Sequence, residues 1–270
     1  MIVPTYDDEQ TLHELLDDWP SVKRKAKKLG EKLMKTMPKS RFVQELGKLE
    51  GQGDTHRTKN GNTWSICAYC QTGAKTWWSV CYCEVENDYG TKSYYYLRGV
   101  NTPHPYYVEL IPHAIRRLRE RFINTFQEAY FAERNITELV SLAVFDRHEC
   151  GIFFKAGKIR HGLFESFTDS DGNTPGVVLM QHSMFYARMT PYGNIILKTF
   201  ITPDAKKGTP KNEFTLMLFG IYKTFNMPKG KNSEEERTKI LAGIWQTIPT
   251  CAIIWTTYWR RWCRCYRKWI

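Results

Sequence analysis

The chain has 270 residues, 42% of them hydrophobic and 25% charged, and carries a net charge of +11. That length suffices for a sizeable core and one or two domains, and the composition is ordinary for a globular protein. No apolar run approaches the roughly 18 residues of a membrane helix, and the cationic excess favours a polyanionic partner such as RNA, DNA or an acidic protein.

Met1 to Trp19 carries Asp7, Asp8, Glu9, Glu14, Asp17 and Asp18. A secretory leader needs a basic start and an apolar centre, so a cytoplasmic location is the expectation. Residues 5–19 read as a short acidic helix ending at Trp19-Pro20. Between Ser21 and Arg41 nine basic residues face one acid, Glu31. Val22, Ala26, Leu29, Leu33 and Met37 recur at three or four residues, which predicts a second, basic amphipathic helix stopped by Pro38. Its Lys23, Arg24, Lys27 and Lys28 are candidate phosphate contacts. The alternative is a helix packed on the body with a lysine-rich outer face. Gly47 to Gly61 is polar and glycine-bearing and reads as a loop.

Residues 62–110 read as a small antiparallel sheet with strands at 62–70, 76–86, 92–98 and 105–110. Its aromatic load, Trp64, Trp77, Trp78, Tyr94, Tyr95 and Tyr96, reads first as sheet core and second as a surface for stacking bases. Cys67, Cys70, Cys81 and Cys83 follow C-x2-C-x10-C-x-C. Four thiolates at such spacing can hold zinc, but the flanks read as strands rather than as knuckles, so reduced core cysteines are the favoured reading.

The chain is organised around Ile111 to Phe122. A strand-like run, Tyr106 to Leu110, feeds into Pro112, which suits the first position of a helix. Ile115, Leu118 and Phe122 mark a buried face, while His113, Arg117 and Arg121 stand four residues apart on another. This pattern is either a solvated cationic face, with Arg116 beside it, or a proton-transfer group followed by a phosphate clamp. The helix is expected to run to Arg134, with a short one from Thr137. A second set of strands follows at 152–154, 158–164, 177–181, 183–189 and 195–202. If Tyr192-Gly193 is a two-residue loop, Arg188 lies opposite Leu197 and Tyr186 opposite Thr199. His182, Tyr186, Arg188 and Thr199 then share one face; Lys198, Thr202, Phe185, Ile196 and Phe200 share the other. A one-residue slip would invert the assignment.

Residues 203–247 read as helices. From Thr250 to Ile270 tryptophans and arginines alternate at helical spacing, which suits a protein partner, a membrane surface or nucleic acid, or docking on the chain's own domain. The expected class is α+β: antiparallel sheets, a central helix packed against the second sheet, and helical N- and C-terminal extensions. The expected regions are 1–50, basic and helical; 51–110, β; 111–203, helix plus sheet; and 204–270, helical with the basic aromatic tail.

His113-Ala114-x-x-Arg117-x-x-Glu120-Arg121 on a helix, followed by a sheet ending in Asn194 to Thr202, resembles the RelE–barnase–colicin type of small ribonuclease toxin domain over about residues 105–203. The resemblance implies a helix on an antiparallel sheet that cuts RNA without a metal or other cofactor, and an origin in a toxin or mobile element. It carries over to His113, Arg117 and Arg121 alone. The chemistry it implies is transesterification: a base takes the 2′-OH proton, the oxygen attacks phosphorus, and an acid protonates the leaving 5′ oxygen. His113 or His182 fits either proton role, and Arg117, Arg121 or Arg188 fits charge stabilisation. The competing reading is a non-catalytic nucleic-acid-binding protein that uses the 22–41 helix, the Arg116–Arg121 face and the tail as phosphate contacts, with Tyr186 and Thr199 of the sheet beside them. A third is a structural or interaction protein whose charge serves solubility or an acidic partner.

Overall fold

The structure is a computed structural model that describes residues 1–3, 5–36, 49–71, 76–87, 89–126, 150–154, 173–179, 184–201 and 252–256. It is α+β. Its described residues fall into two compact units, Met1–Pro112 and a second that begins at His113.

The first unit opens with one long helix, α1 (Asp8–Thr36), instead of the two expected. Asp7 and Gln10 form its capping box: the Gln10 N–H donates to Asp7 Oδ1 at 2.8 Å, and the Asp7 N–H donates to Gln10 Oε1 at 3.1 Å. Pro20 lies inside the helix and does not end it. Its ring is on the exposed side, where water can take the carbonyl that loses its N–H partner. Leu15, Val22, Ala26, Leu29 and Leu33 are buried on both sides of Pro20 in one core with the sheet, and that shared burial carries the helix through.

Five strands follow in sequence order across the sheet: β1 (Leu49–Arg57), β2 (Thr63–Gln71), β3 (Trp77–Glu86), β4 (Lys92–Arg98) and β5 (Tyr106–Leu110), each antiparallel to the next. β1 corrects the expectation of a loop at 47–61. It is an edge strand without an apolar stripe, so hydrophobic alternation does not reveal it. Its Gly51 stands opposite Tyr69, whose ring covers the glycine where a Cβ would otherwise sit.

Strand parity sorts the sheet into two faces. Trp64, Ile66, Ala68, Cys70, Cys81, Cys83, Leu97 and Tyr107 join the core beneath α1. Cys67, Tyr69, Val80, Tyr82, Tyr94, Tyr96 and Tyr106 belong to the other face and are also buried. The sheet aromatics are thus buried, or half-buried in the case of Trp77, Trp78 and Tyr95, with Tyr82–Tyr94 and Tyr95–Tyr107 meeting edge to face at 5.2 and 5.5 Å between centroids.

The second unit holds α2 (Pro112–Phe126), which turns Ala114, Ile115 and Leu118 inward. It also holds β6 (Cys150–Phe154), β7 (Thr174–Leu179), β8 (Met184–Met189), β9 (Ile195–Ile201) and β10 (Ala252–Thr256), in the sheet order β9-β8-β7-β6-β10. β10 pairs antiparallel with β6. The first residues of the tail, expected as helix, are therefore a strand, as their β-branched run Ile253-Ile254 favours. The expected strand at 158–164 and the expected helices at 127–149 and 203–247 lie outside the described residues, as does 257–270.

The β8–β9 hairpin departs from the expected two-residue loop. The Thr190 N–H donates to the Asn194 carbonyl at 2.8 Å and the Gly193 N–H to the Thr190 carbonyl at 2.9 Å, which leaves Pro191-Tyr192-Gly193 as a three-residue loop with Gly193 at φ +84°. A type I turn closed by a left-handed residue needs glycine at that place. The turns Thr58–Asn62 and Asn87–Thr91 repeat the same bonding, with Gly61 and Gly90 also at positive φ. Tyr186 lies opposite Thr199, as expected, but a bulge follows: Ala187 pairs with Leu197 and Arg188 with Ile196, not with Leu197. Lys198 is the extra residue. Ile196 thus moves to the face of Tyr186, Arg188 and Thr199, while Phe185 and Phe200 pack on the other at 5.1 Å.

Candidate nucleic-acid interface

Two clusters of cations emerge, one in each unit. On α1 the residues at Val22, Ala26, Leu29 and Leu33 point into the core, which turns the intervening positions to solvent. Lys23, Arg24, Lys27, Lys28, Lys32 and Lys35 are all exposed. Lys25 differs: it is half-buried, and its ammonium meets Asp54 of β1 at 2.7 Å. That contact holds the Asp54 carboxyl below its usual pKa, the hydrogen bond from Lys25 being the largest cause. Lys27 has Glu31 at 3.8 Å, a solvent-side pair of little energetic weight. Lys25 is thus a structural cation, and the others form an outward row.

At the start of α2, His113 is exposed in the second helical position. Its Nδ1 lies 3.2 Å from the Arg116 guanidinium, not beside Arg117. Arg117 donates to Glu120 at 2.9 Å, and Arg116 also approaches Glu120 at 4.0 Å. The acid at position 120 therefore competes for both arginines, and a phosphate would have to displace it. The described part of Arg121 is its place in α2. His182 lies outside the described residues. Arg188 is half-buried on β8, Tyr186 beside it in the same strand is buried, and Thr199 is half-buried opposite Tyr186. The structure thus brings together His113 with Arg116, and Tyr186 with Thr199 and Arg188. Lys23, Arg24, Lys27 and Lys28 stand on the other unit.

The four cysteines of the β2–β3 pair are buried thiols outside any disulfide. Cys67 and Cys70 are an odd number of residues apart, so they project from opposite faces of β2, and Cys67 is separated from Cys70, Cys81 and Cys83 by the sheet. Burial pushes the Cys81 thiol up to about 12 and Cys83 higher still. Among the described residues no group of three or more His, Cys, Asp or Glu side chains is placed to hold a metal ion.

Of the sheet aromatics that could have stacked bases, Trp64, Tyr94 and Tyr96 are buried, Trp77 and Tyr95 pack half-buried against the core, and Trp78 is half-buried against Tyr69. The exposed aromatics among the described residues include Tyr89, 91% accessible, and Tyr192, 62% accessible, each immediately before the glycine of a three-residue turn. The dipeptide Tyr-Gly at both turns was the available signal. No helix among the described residues is long and apolar enough to cross a membrane. Comparison with family models, with curated proteins and with solved structures returns no match.

Proposed function

We propose that this protein binds nucleic acid through the outer face of α1, in a sequence-independent manner. The observation that carries the reading is the row of exposed cations from Lys23 to Lys35, held outward by a buried stripe that fixes the helix's rotation. Lysine ammonium groups on a rigid rod release counterions from a phosphate backbone without reading bases. The net charge of +11 gives the same attraction at long range. A cytoplasmic setting with reduced thiols accords with this reading. The test is titration of labelled mixed-sequence RNA and DNA at about 50 and about 200 mM salt. Affinity should fall by orders of magnitude between the two. Absence of binding to both polymers at the lower salt contradicts the proposal.

A second reading rests on the exposed imidazole of His113 beside the Arg116 guanidinium, 3.2 Å apart. It is the metal-independent endoribonuclease that the likeness to the RelE–barnase–colicin domains suggests. In that reading α2 packs on the second unit's sheet, and Arg188, Tyr186 and Thr199 face His113, with Arg117, Arg121 and His182 completing the site. His113 would move the 2′-OH proton and Arg116 would steady the phosphorane charge. Incubation with RNA in excess chelator should then yield 2′,3′-cyclic phosphate ends, and His113→Ala should slow the reaction by about 10²–10⁴-fold. The pairing of Arg117 with Glu120 is why the binding reading stands first.

A further inference from the structure

We infer that α1 is divided by Pro20 into a cationic track and an acidic stop, so that a bound strand lies along residues 23–35 through its phosphodiester backbone and ends short of residue 17; this rests on the nucleic-acid reading of α1. The helix is continuous through Pro20, so both halves share one axis. Beyond Lys23 toward the N-terminus the exposed charges change sign. Asp7 caps the helix through the Gln10 N–H, Asp8 accepts the Tyr107 hydroxyl at 2.7 Å, and Asp18 is buried in the fold. Glu9 and Asp17 are exposed acids on the solvent side, Asp17 with His13 at 3.8 Å. A polyanion continuing along the axis from Lys23 therefore meets carboxylates within two helical turns.

The chemistry of the track names its ligand class. Between Lys23 and Lys35 the exposed cations are lysines apart from Arg24; the one exposed acid among them, Glu31, is matched by Lys27 at 3.8 Å, and no Asn or Gln intervenes. Lysine is a hydrated point charge, whereas base edges are read by forked or paired donors and acceptors. The inner half of the helix is embedded on the sheet, so it cannot enter a groove with all its circumference. The ligand is the backbone of one strand. At 1.5 Å per residue the track is about 18 Å long. At about 3.4 Å of axis per phosphate, the spacing of a stacked helical strand, it takes about five nucleotides.

The test measures affinity for single-stranded oligonucleotides of increasing length, and the salt slope of the longest, for the parent and two single variants. Asp17→Lys and Glu86→Lys change net charge equally at exposed sites, but Glu86 lies on β3, off the line of α1. For the parent, affinity should rise steeply to about five nucleotides and then only by the slow statistical gain of a longer lattice. Asp17→Lys should extend the steep phase to about eight nucleotides and steepen the slope by about 0.7, for one further phosphate. Glu86→Lys should leave the steep phase where it was. Asp17→Asn serves as a milder second variant and should shift the steep phase the same way by less. If neither variant of Asp17 moves the steep phase, or Glu86→Lys moves it equally, the acidic stop is wrong while binding through α1 stands. If the parent binds no nucleic acid, or binds only anionic lipid vesicles, the nucleic-acid reading itself falls and the stop with it.

Discussion

The carboxylate of Asp18, in the middle of α1, accepts the indole N–H of Trp64 of β2 at 2.9 Å. The same oxygen accepts the Asn62 amide at 2.7 Å, and the other accepts the Asn60 amide at 3.1 Å. Asn62 in turn accepts the Ile2 N–H at 2.7 Å. A carboxylate only 1% exposed is tolerable because each oxygen is satisfied. It joins the helix, just before Pro20, to the turn that connects β1 and β2. Nearly one turn on, Ser21 donates to the Asp18 carbonyl at 3.0 Å and meets His56 of β1 at 3.2 Å.

Asp18→Ala should therefore destabilise the first unit by about 2–5 kcal/mol, since it strands buried amide and indole donors as well as losing their bonds. Denaturant unfolding measures it. Trp64→Phe removes the indole donor, so the double variant should cost less than the sum of the singles by about 1–2 kcal/mol. Strict additivity would mean that Asp18 acts through something other than Trp64.

Gly30 gives a second test, because two effects oppose there. Glycine to alanine inside a helix ordinarily gains about 1 kcal/mol in propensity. At this position, however, an added Cβ enters the Trp77 ring. Overpacking costs typically 1–3 kcal/mol, so Gly30→Ala should be net destabilising and should lower the melting temperature. Shortening the obstacle with Trp77→Leu should make Gly30→Ala neutral or favourable in that background. A stabilising Gly30→Ala in the parent would contradict the packing of α1 on β3.

These same contacts show how far the fold was legible beforehand. The strands at 92–98 and 105–110 could be read because β-branched and aromatic residues mark them and turns bound them. The stripe from Val22 to Leu33 could be read because burial on one helix face leaves a period. β1 could not: an edge strand with glycines and charges has no apolar alternation, and its mark is the ring of Tyr69 over Gly51 from the neighbouring strand. Pro20 misled because local chemistry argues for a break, whereas Leu15 and Val22 on either side of it are buried in the same core. In the β8–β9 hairpin the turn residues locate the loop, but neither its length nor the bulge at Lys198 can be inferred from alternation, which places Arg188 opposite Leu197 instead of Ile196. Of the candidate site, the exposed α1 cations were legible from the stripe. The contact of His113 with Arg116 was not, since spacing of three and of four both place an arginine within reach.

The buried thiols set an alkaline limit. Cys81 ordinarily ionises near 9.0 and is pushed up to about 12 by burial, with Cys83 raised further for the same leading cause. In the folded state both hold their protons where the unfolded chain has lost them. The stability they contribute is thus fully present below pH 9 and is lost as the pH rises from there through about 12. Melting temperature measured from neutral pH upward should fall above about pH 9. Cys81→Ala/Cys83→Ala, although less stable at neutral pH, should show a shallower alkaline decline. An unchanged decline would place its origin in other groups, Tyr95 and Tyr107 foremost, whose hydroxyls are also raised by burial.

The central claim is that the outward row of α1 binds nucleic acid, and the most direct measurement is the salt dependence of binding for a variant with Lys23, Arg24, Lys27 and Lys28 all changed to glutamine. Lys25 is left in place because it holds β1 through Asp54. All four substituted residues are exposed, so the melting temperature should stay near that of the parent. Affinity for mixed-sequence RNA should drop, and the slope of log affinity against log salt should shrink by about 3, because about four phosphates are no longer neutralised. A variant that folds normally and keeps both the affinity and the slope of the parent would contradict the account.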